Sequence, residues 1–217
     1  MARADSEKRG RILAAAVEVF AGHGWKGTTT RMLGHKARVN SALIYYYFEN
    51  KHELFLSALR FVLKGFLEHM RAERREFGGA RERLEFLVNG VFDYYSAHPG
   101  RMRLISMAIM MHPDLMGRTL TLVLRDRDLV PLEVLTDGMA RGELRRMHPI
   151  EEWWSILSLC LFRMKIREIM PHVERAALQA PLPDLEHSRK QIVELLMQGM
   201  AVKSGAGGRN KPGRRAG

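Results

Sequence analysis

Apolar residues return at intervals of three and four along nearly the whole chain, and no stretch alternates cleanly over strand length between turn signals, so the expected fold is all-α. The first helix is predicted to start after Asp5 or Ser6, either of which is a competent N-cap. Its stripe is Ile12, Leu13, Ala16, Val17 and Phe20, and it should stop at Gly22-His23-Gly24. Short helices are expected from Thr29 to about Lys36 and from Ser41 to Tyr47, the latter capped by Asn40. A long helix follows Glu49-Asn50, with Leu54, Phe55, Ala58, Leu59, Val62 and Phe66 on its apolar face, and ends before Gly78-Gly79.

Leu84, Leu87, Val88, Val91, Phe92 and Tyr95 predict a further amphipathic helix, broken at His98-Pro99-Gly100. A short one should occupy Arg101 to Met111, and a longer one roughly Asp114 to Ala140, where Pro131 must kink or split it. From Glu151 to Met170 the chain is apolar on nearly all sides, and a helix of that kind has to be covered all round by its own domain, a partner subunit or a ligand. The last helix, about Leu185 to Ala201, carries Ile192, Leu195, Leu196 and Met200. The implied division is residues 1–51 as a helix-turn-helix domain, 52–77 as a connecting helix, 80–202 as a larger helical domain for ligand binding and dimerisation, and 203–217 as a disordered basic tail.

Charge sharpens this division. The net charge is +11, but residues 1–51 hold nine Lys or Arg against four acids, and residues 203–217 add five more basic side chains. The remaining body is close to neutral, so an anionic partner is expected at the ends of the chain and not for the body. One cysteine, Cys160, excludes an internal disulfide framework and fits a reducing compartment. No apolar run follows the basic start, and Ile156 to Phe162 is far too short to span a bilayer, so a cytoplasmic protein without membrane contact is expected.

The segment from Thr28 to Lys51 is the most informative. Two short helices separated by a tight turn, the second with few apolar residues to spare, fit a helix-turn-helix whose second helix enters the major groove of double-stranded DNA. Tyr45, Tyr46 and Tyr47 in succession would be an unusual surface unless something covers them, and their hydroxyls can donate to phosphate oxygens. The run Ile12-Leu13-Ala14-Ala15-Ala16 through Phe20, then Gly24-Trp25, Thr28-Thr29-Thr30-Arg31, Val39-Asn40, Ile44-Tyr45-Tyr46-Tyr47-Phe48 and Lys51 resembles the TetR family of bacterial regulators. Downstream, the stretch Gly138-Met139-Ala140-Arg141-Gly142-Glu143-Leu144-Arg145 is also similar to that family. The resemblance implies a homodimer that represses transcription from an operator and is released when a small molecule binds its C-terminal domain.

On that resemblance, Thr30 and Lys51 become phosphate contacts, Arg31 a base-reading arginine, and Ser41 and Ala42 the leading turn of the recognition helix behind Asn40. Tyr45 is expected to pack inward with Phe48, while Tyr46 and Tyr47 face the DNA backbone or a thymine methyl. Two positions depart from the family pattern. Arg38 replaces the turn glycine, where a left-handed backbone would cost roughly 1 kcal/mol or more, and Leu43 removes a hydroxyl, shifting weight for operator affinity onto Lys36 and Arg38.

Enzyme readings fare poorly. Gly22-His23-Gly24-Trp25-Lys26-Gly27 has the letters of a dinucleotide-binding loop but follows a helical stripe with no sheet to receive it, and His52-Glu53 lacks the second histidine of a zinc protease helix. There is no Gly-x-Ser-x-Gly elbow and no Cys and His clustering, so neither catalysis nor a cofactor is expected. For the effector, Met102, Met107, Met110, Met111 and Met116 concentrate around one short helix, where thioethers either line an adaptable pocket or fill an irregular core. Phe92, Tyr95, Met107, Met111 and Trp154 are the candidate pocket for an apolar or aromatic small molecule. The helices from Glu151 and from Leu185 are the candidate dimer surface. The rival reading is a DNA-binding protein of the same family with a chromosome-structural role and no effector.

Overall fold

The computed structural model describes residues 2–125, 129–173 and 184–202, and the expected basic tail from Lys203 lies outside the described residues. Ten α-helices make up the described chain: α1 (Ala2–Gly27), α2 (Thr30–Ala37), α3 (Ser41–Tyr47), α4 (Lys51–Ala72), α5 (Ala80–Ala97), α6 (Pro99–Met111), α7 (Pro113–Arg125), α8 (Val130–Ala140), α9 (Pro149–Ile169) and α10 (Leu185–Met200). Among the described residues the only bridge of β type is an isolated one between Leu144 and Ala201.

Helix boundaries follow from identifiable side chains. Thr29, Asn40, Asn50 and Asp184 each accept a backbone N–H with the side chain and so open α2, α3, α4 and α10. The break in α1 is at Gly24, whose φ of 66° only glycine adopts freely. Pro131 splits the segment from Asp114 to Ala140, sitting in the first turn of α8, where its missing N–H costs nothing. The long helix after Asn50 is shorter than the sequence pattern suggests. It ends at Ala72 with Glu73 as its C-cap, because Met70 is its last buried position and the run Glu73 to Glu76 has no apolar side chain to hold another turn against the core.

A single continuous core runs from α1 through α10. Phe20 and Phe55 meet edge to face at 4.9 Å, Trp25 lies against both, and His112 closes the group, tying α1 to the start of α4 and to the α6–α7 junction. The first three helices are thereby fixed to the body through α1 and α4. Within the body α5 is the central element, buried on most sides by Leu84, Leu87, Val88, Val91, Phe92 and Tyr95. No helix among the described residues is long and apolar enough to cross a membrane.

Candidate nucleic-acid interface

Helices α2 and α3 are held by short-range chemistry that leaves their outer faces free. The Thr28 hydroxyl, itself buried, donates to the Gly24 carbonyl at 2.8 Å, and the Met32 N–H donates to the Thr29 hydroxyl oxygen. The turn between the two helices passes through Arg38 at φ 55°, ψ 48°, the left-handed conformation that the missing glycine leads one to expect. The turn is closed by the Val39 N–H donating to the Gly34 carbonyl at 3.0 Å, and from α1 the Arg11 guanidinium donates to the Ala37 carbonyl at 2.8 Å. Gly34 permits the crossing, since a Cβ there would stand 2.9 Å from the Val39 carbonyl oxygen and 3.1 Å from the Ser41 hydroxyl. Neither Arg11 nor Gly34 stands out in the sequence, because each acts on backbone that only the folded turn brings near.

Arg38→Gly should therefore separate two roles of one residue. Removing a left-handed non-glycine residue should stabilise the chain by about 1 kcal/mol, while removing a surface charge should weaken binding to any DNA duplex. Thermal unfolding and DNA titration across salt concentrations measure both, and a variant that is less stable than the parent would show that the turn is not under strain.

Arg31, Lys36, Arg38, Asn40 and Ala42 are exposed on this unit, and Thr30 and Ser41 are half-buried. The Asn40 side-chain oxygen is used in capping, accepting from the Ala42 N–H at 3.0 Å, which leaves its amide N–H groups outward. Tyr46 is 76% exposed at the C-terminal end of α3. Tyr45 corrects the expectation of inward packing: it is 56% exposed, with its hydroxyl 3.5 Å from that of Thr30. In a helix this short only one line of side chains reaches the core, and Ile44 and Phe48, four apart, take it. Tyr47 is half-buried and donates to the Asp5 carboxylate of α1, a bond that pushes its phenol up to about 12. Lys51, also half-buried, lies with its ammonium 5.0 Å from the centre of the Trp25 ring. The exposed side chains of the unit thus include three cations and two tyrosines, residue types suited to phosphate oxygens and base edges.

Within the body, α4 to α9 enclose an apolar cavity of about 70 Å³. Its walls are Leu63, Phe66 and Leu67 of α4, Tyr95 of α5, Ile105 and Ile109 of α6, Met116 and Leu120 of α7, Leu132 of α8, and Trp153, Trp154 and Leu157 of α9, with no charged residue among them. Tyr95, Phe66 and Trp153 form a continuous stack, with successive ring centres 5.8 and 5.9 Å apart. Of the five residues proposed for a pocket, Tyr95 and Trp154 reach this cavity and three do not. Phe92 is fully buried but turned toward α10, beneath the Arg189 guanidinium. Met107 is half-buried against the core outside the cavity wall, and Met111 is 69% exposed at the end of α6. Met116 is the methionine of that group on the wall. Among the described residues no cluster of metal-ligating side chains occurs.

A helix-turn-helix unit mounted on a helical body that encloses an apolar cavity sets the class of the fold. Residues 12–58 match the family described as bacterial regulatory proteins, tetR family, and residues 81–196 match the tetracyclin repressor-like C-terminal domain, so the chain belongs to the TetR family. It is 35% identical over 91 residues to the HTH-type transcriptional repressor NicS of Pseudomonas putida, an alignment covering 42% of this chain and 43% of NicS, so the chain spans less than half the length of that relative. Among solved structures, FadR of Bacillus subtilis in complex with stearoyl-CoA superposes with a TM-score of 0.69 at 20% identity, over 87% of this chain and 97% of FadR. A tetR family regulator from Shewanella superposes with a TM-score of 0.66 at 19% identity, over 90% of this chain and 99% of that one.

Proposed function

We propose that the protein is an operator-binding transcriptional repressor, acting as a homodimer and released from DNA by an apolar or aromatic effector held between α4 and α9. The observation that carries this reading is the double duty of α4. Its first half builds the core of the helix-turn-helix unit through Leu54, Phe55, Ala58 and Leu59, and its second half walls the cavity through Leu63, Phe66 and Leu67. At about 70 Å³ the cavity is far below the roughly 300 Å³ at which small-molecule sites begin, so an effector must spread the walls. Spreading them moves α4, and α4 carries the DNA-reading helices with it. The neighbour FadR holds an acyl-CoA, an effector with a long apolar chain, and an apolar ligand is what this lining accepts.

The reading requires Thr30, Arg31, Lys36, Arg38, Asn40, Ser41, Ala42, Tyr46, Tyr47 and Lys51 to face the duplex, with two recognition helices about 34 to 36 Å apart on a palindrome. Selection from random duplexes should return such a palindrome. Lys51→Ala should weaken binding to all sequences, whereas Arg31→Ala should relax preference at one position. Apolar compounds that stabilise the protein thermally should bind less tightly when operator is present, by the same factor of about 5 to 150 by which they weaken operator binding. Hits that bind with one affinity in both titrations would favour the chromosome-structural reading, and selection that returns no preferred sequence would remove the operator.

A further inference from the structure

On another face of α4 from the apolar cavity lies a second, larger recess of about 580 Å³, between α1, α4, α5 and α6. Leu63, Phe66 and Leu67 form one face of α4, and Ser57, Arg60, Lys64 and Glu68 form another roughly a third of a turn round the helix. The recess is lined by Arg9 of α1, Arg60 and Lys64 of α4 and Arg101 of α6, with Glu68 as the one carboxylate on its wall. A recess of about 660 Å³ between the α4–α5 loop, α5 and α8 offers a contrast. There three arginines are in ion pairs: Arg74 with Glu133, and Arg83 and Arg141 with Asp137.

In the first recess Arg9 and Arg101 are placed by aromatic rings and, for Arg101, a neutral hydroxyl. Arg9 stands over the Phe48 ring at 5.2 Å, and Arg101 lies between Phe61 and Tyr94, 5.5 and 5.1 Å from their centres. Arg101 donates to the Tyr94 hydroxyl at 2.6 Å, and that hydroxyl donates in turn to the Val62 carbonyl at 2.8 Å, so the guanidinium is fixed with most of its N–H groups unspent. Gly65 makes room for this arrangement, since a Cβ there would stand 2.8 Å from the Tyr94 oxygen and 3.3 Å from an Arg101 nitrogen. His69 adds a buried Nε2 with no hydrogen-bond partner among the described residues. His98 is held below the ordinary imidazole range, first by burial and then by the charges of Arg101 and His69. The N-terminus of α6 is already served by Glu18, whose carboxylate lies where a Cβ on Gly100 would stand.

We propose that this recess is a second small-molecule site, separate from the apolar cavity, for a diphosphate-bearing anion bridged by Arg9, Arg60 and Arg101. A pre-oriented guanidinium with two further arginines converging on one space suits several phosphate oxygens, which a single carboxylate would not use. Because the site joins α1 to α4 and α6, its occupant pins the helix-turn-helix unit to the body. The consequence for operator affinity rests on the operator-binding reading above. The binding itself does not.

Calorimetric titration of the full chain without DNA, at constant ionic strength, tests the site with inorganic pyrophosphate and with ADP as probes. One saturable site per chain is expected. Arg60→Ala, an exposed residue with no packing role, should weaken it about tenfold, Arg101→Met at least as much, and Arg74→Ala in the contrasting recess not at all. Tighter binding of ADP than of pyrophosphate would identify a nucleotide-type ligand, and equal binding the bare diphosphate. Absence of saturable binding overturns the proposal, as does binding that survives Arg60→Ala and falls with Arg31→Ala, which would put the anion on the DNA-facing surface. Loss of operator binding with the pyrophosphate site intact would instead count against the operator reading alone.

Discussion

Phe162→Asp is expected to yield a folded monomer that has lost most of its affinity for the operator. On the buried side of α9, Ile156, Cys160 and Met164 enter the core, and Cys160 is so enclosed that burial pushes its thiol up to about 12. On the other side Leu159, Phe162 and Ile169 remain uncovered, joined by Leu195 of α10, with Phe162 69% exposed. Leu159, Phe162 and Ile169 follow helical spacing on α9, which packs against α10, and together with Leu195 they are the proposed patch. A second copy of this patch is the proposed cover, because an isologous contact places two helix-turn-helix units on one duplex. Aspartate at its centre would bury a charge without a partner in the dimer while costing the monomer nothing. Losing the second half-site should lower operator affinity by about 10² to 10⁴. Sedimentation and DNA titration measure the two effects, and a parent protein that sediments as a monomer, or a variant that stays dimeric, would displace α9 as the interface.

How much of this was legible in the sequence depended on whether the signal was local. Thr29, Asn40 and Asn50 mark helix starts by their own side chains, and Pro131 marks a helix start by the donor it lacks, so the caps around α2, α3 and α4 and the split between α7 and α8 could be read directly. The turn at Arg38 was legible as a conflict between residue type and required backbone, and the chain adopts the left-handed angle. Tyr45 misled because it is one residue from the inward line of α3, and in seven residues the periodicity is too short to say which line wins. The pocket misled for a different reason. Phe92 and Tyr95 lie three apart and look like one face, but α5 is buried on most sides, and apolar periodicity cannot tell the side that meets α10 from the side that meets α4 and α9. Methionine density was no guide either: the cluster on α6 ends with Met110 and Met111 in solvent. The cationic recess left no trace in the sequence, since its residues come from α1, α4, α5 and α6 and become neighbours only when folded.

The stretch from Gly138 to Arg145, a family resemblance without a stated reason, acquires one in the structure. It ends α8 and docks it onto two other helices. Gly142 adopts φ 70°, the Glu143 and Leu144 N–H groups both donate to the Gly138 carbonyl, and the Arg145 N–H reaches the Met200 carbonyl at the end of α10. At the centre is Arg83 of α5, 2% exposed, donating to Glu143 at 2.6 Å and pairing with Asp137 at 2.8 Å, with the Phe77 ring beneath its guanidinium. Gly138 must be small, because a Cβ there would stand 2.9 Å from the Arg83 Cδ and 2.8 Å from a Leu144 methyl.

Arg83→Met keeps the volume and removes the charge, leaving the Asp137 and Glu143 carboxylates facing each other across an apolar side chain. Breaking a buried pair from one side costs roughly 3 to 5 kcal/mol, and the lower end applies because both acids keep some access to water. For a chain of this length about 3 kcal/mol is a fall in Tm of roughly 6 to 12 °C. The pH dependence has a definite sign. The Arg141 hydrogen bond, with help from Arg83, holds the Asp137 carboxyl below its ordinary range, so its contribution is present at neutral pH and is lost as pH falls through that lowered value. The gap in stability between parent and variant should therefore narrow on acidification, and adding Glu143→Gln to Arg83→Met should recover part of the loss at neutral pH. Scanning calorimetry at neutral and acid pH decides it: a Tm within about 2 °C of the parent at neutral pH, or a gap that widens in acid, would mean that Arg83 fills space at the α5–α8 junction without holding it by charge.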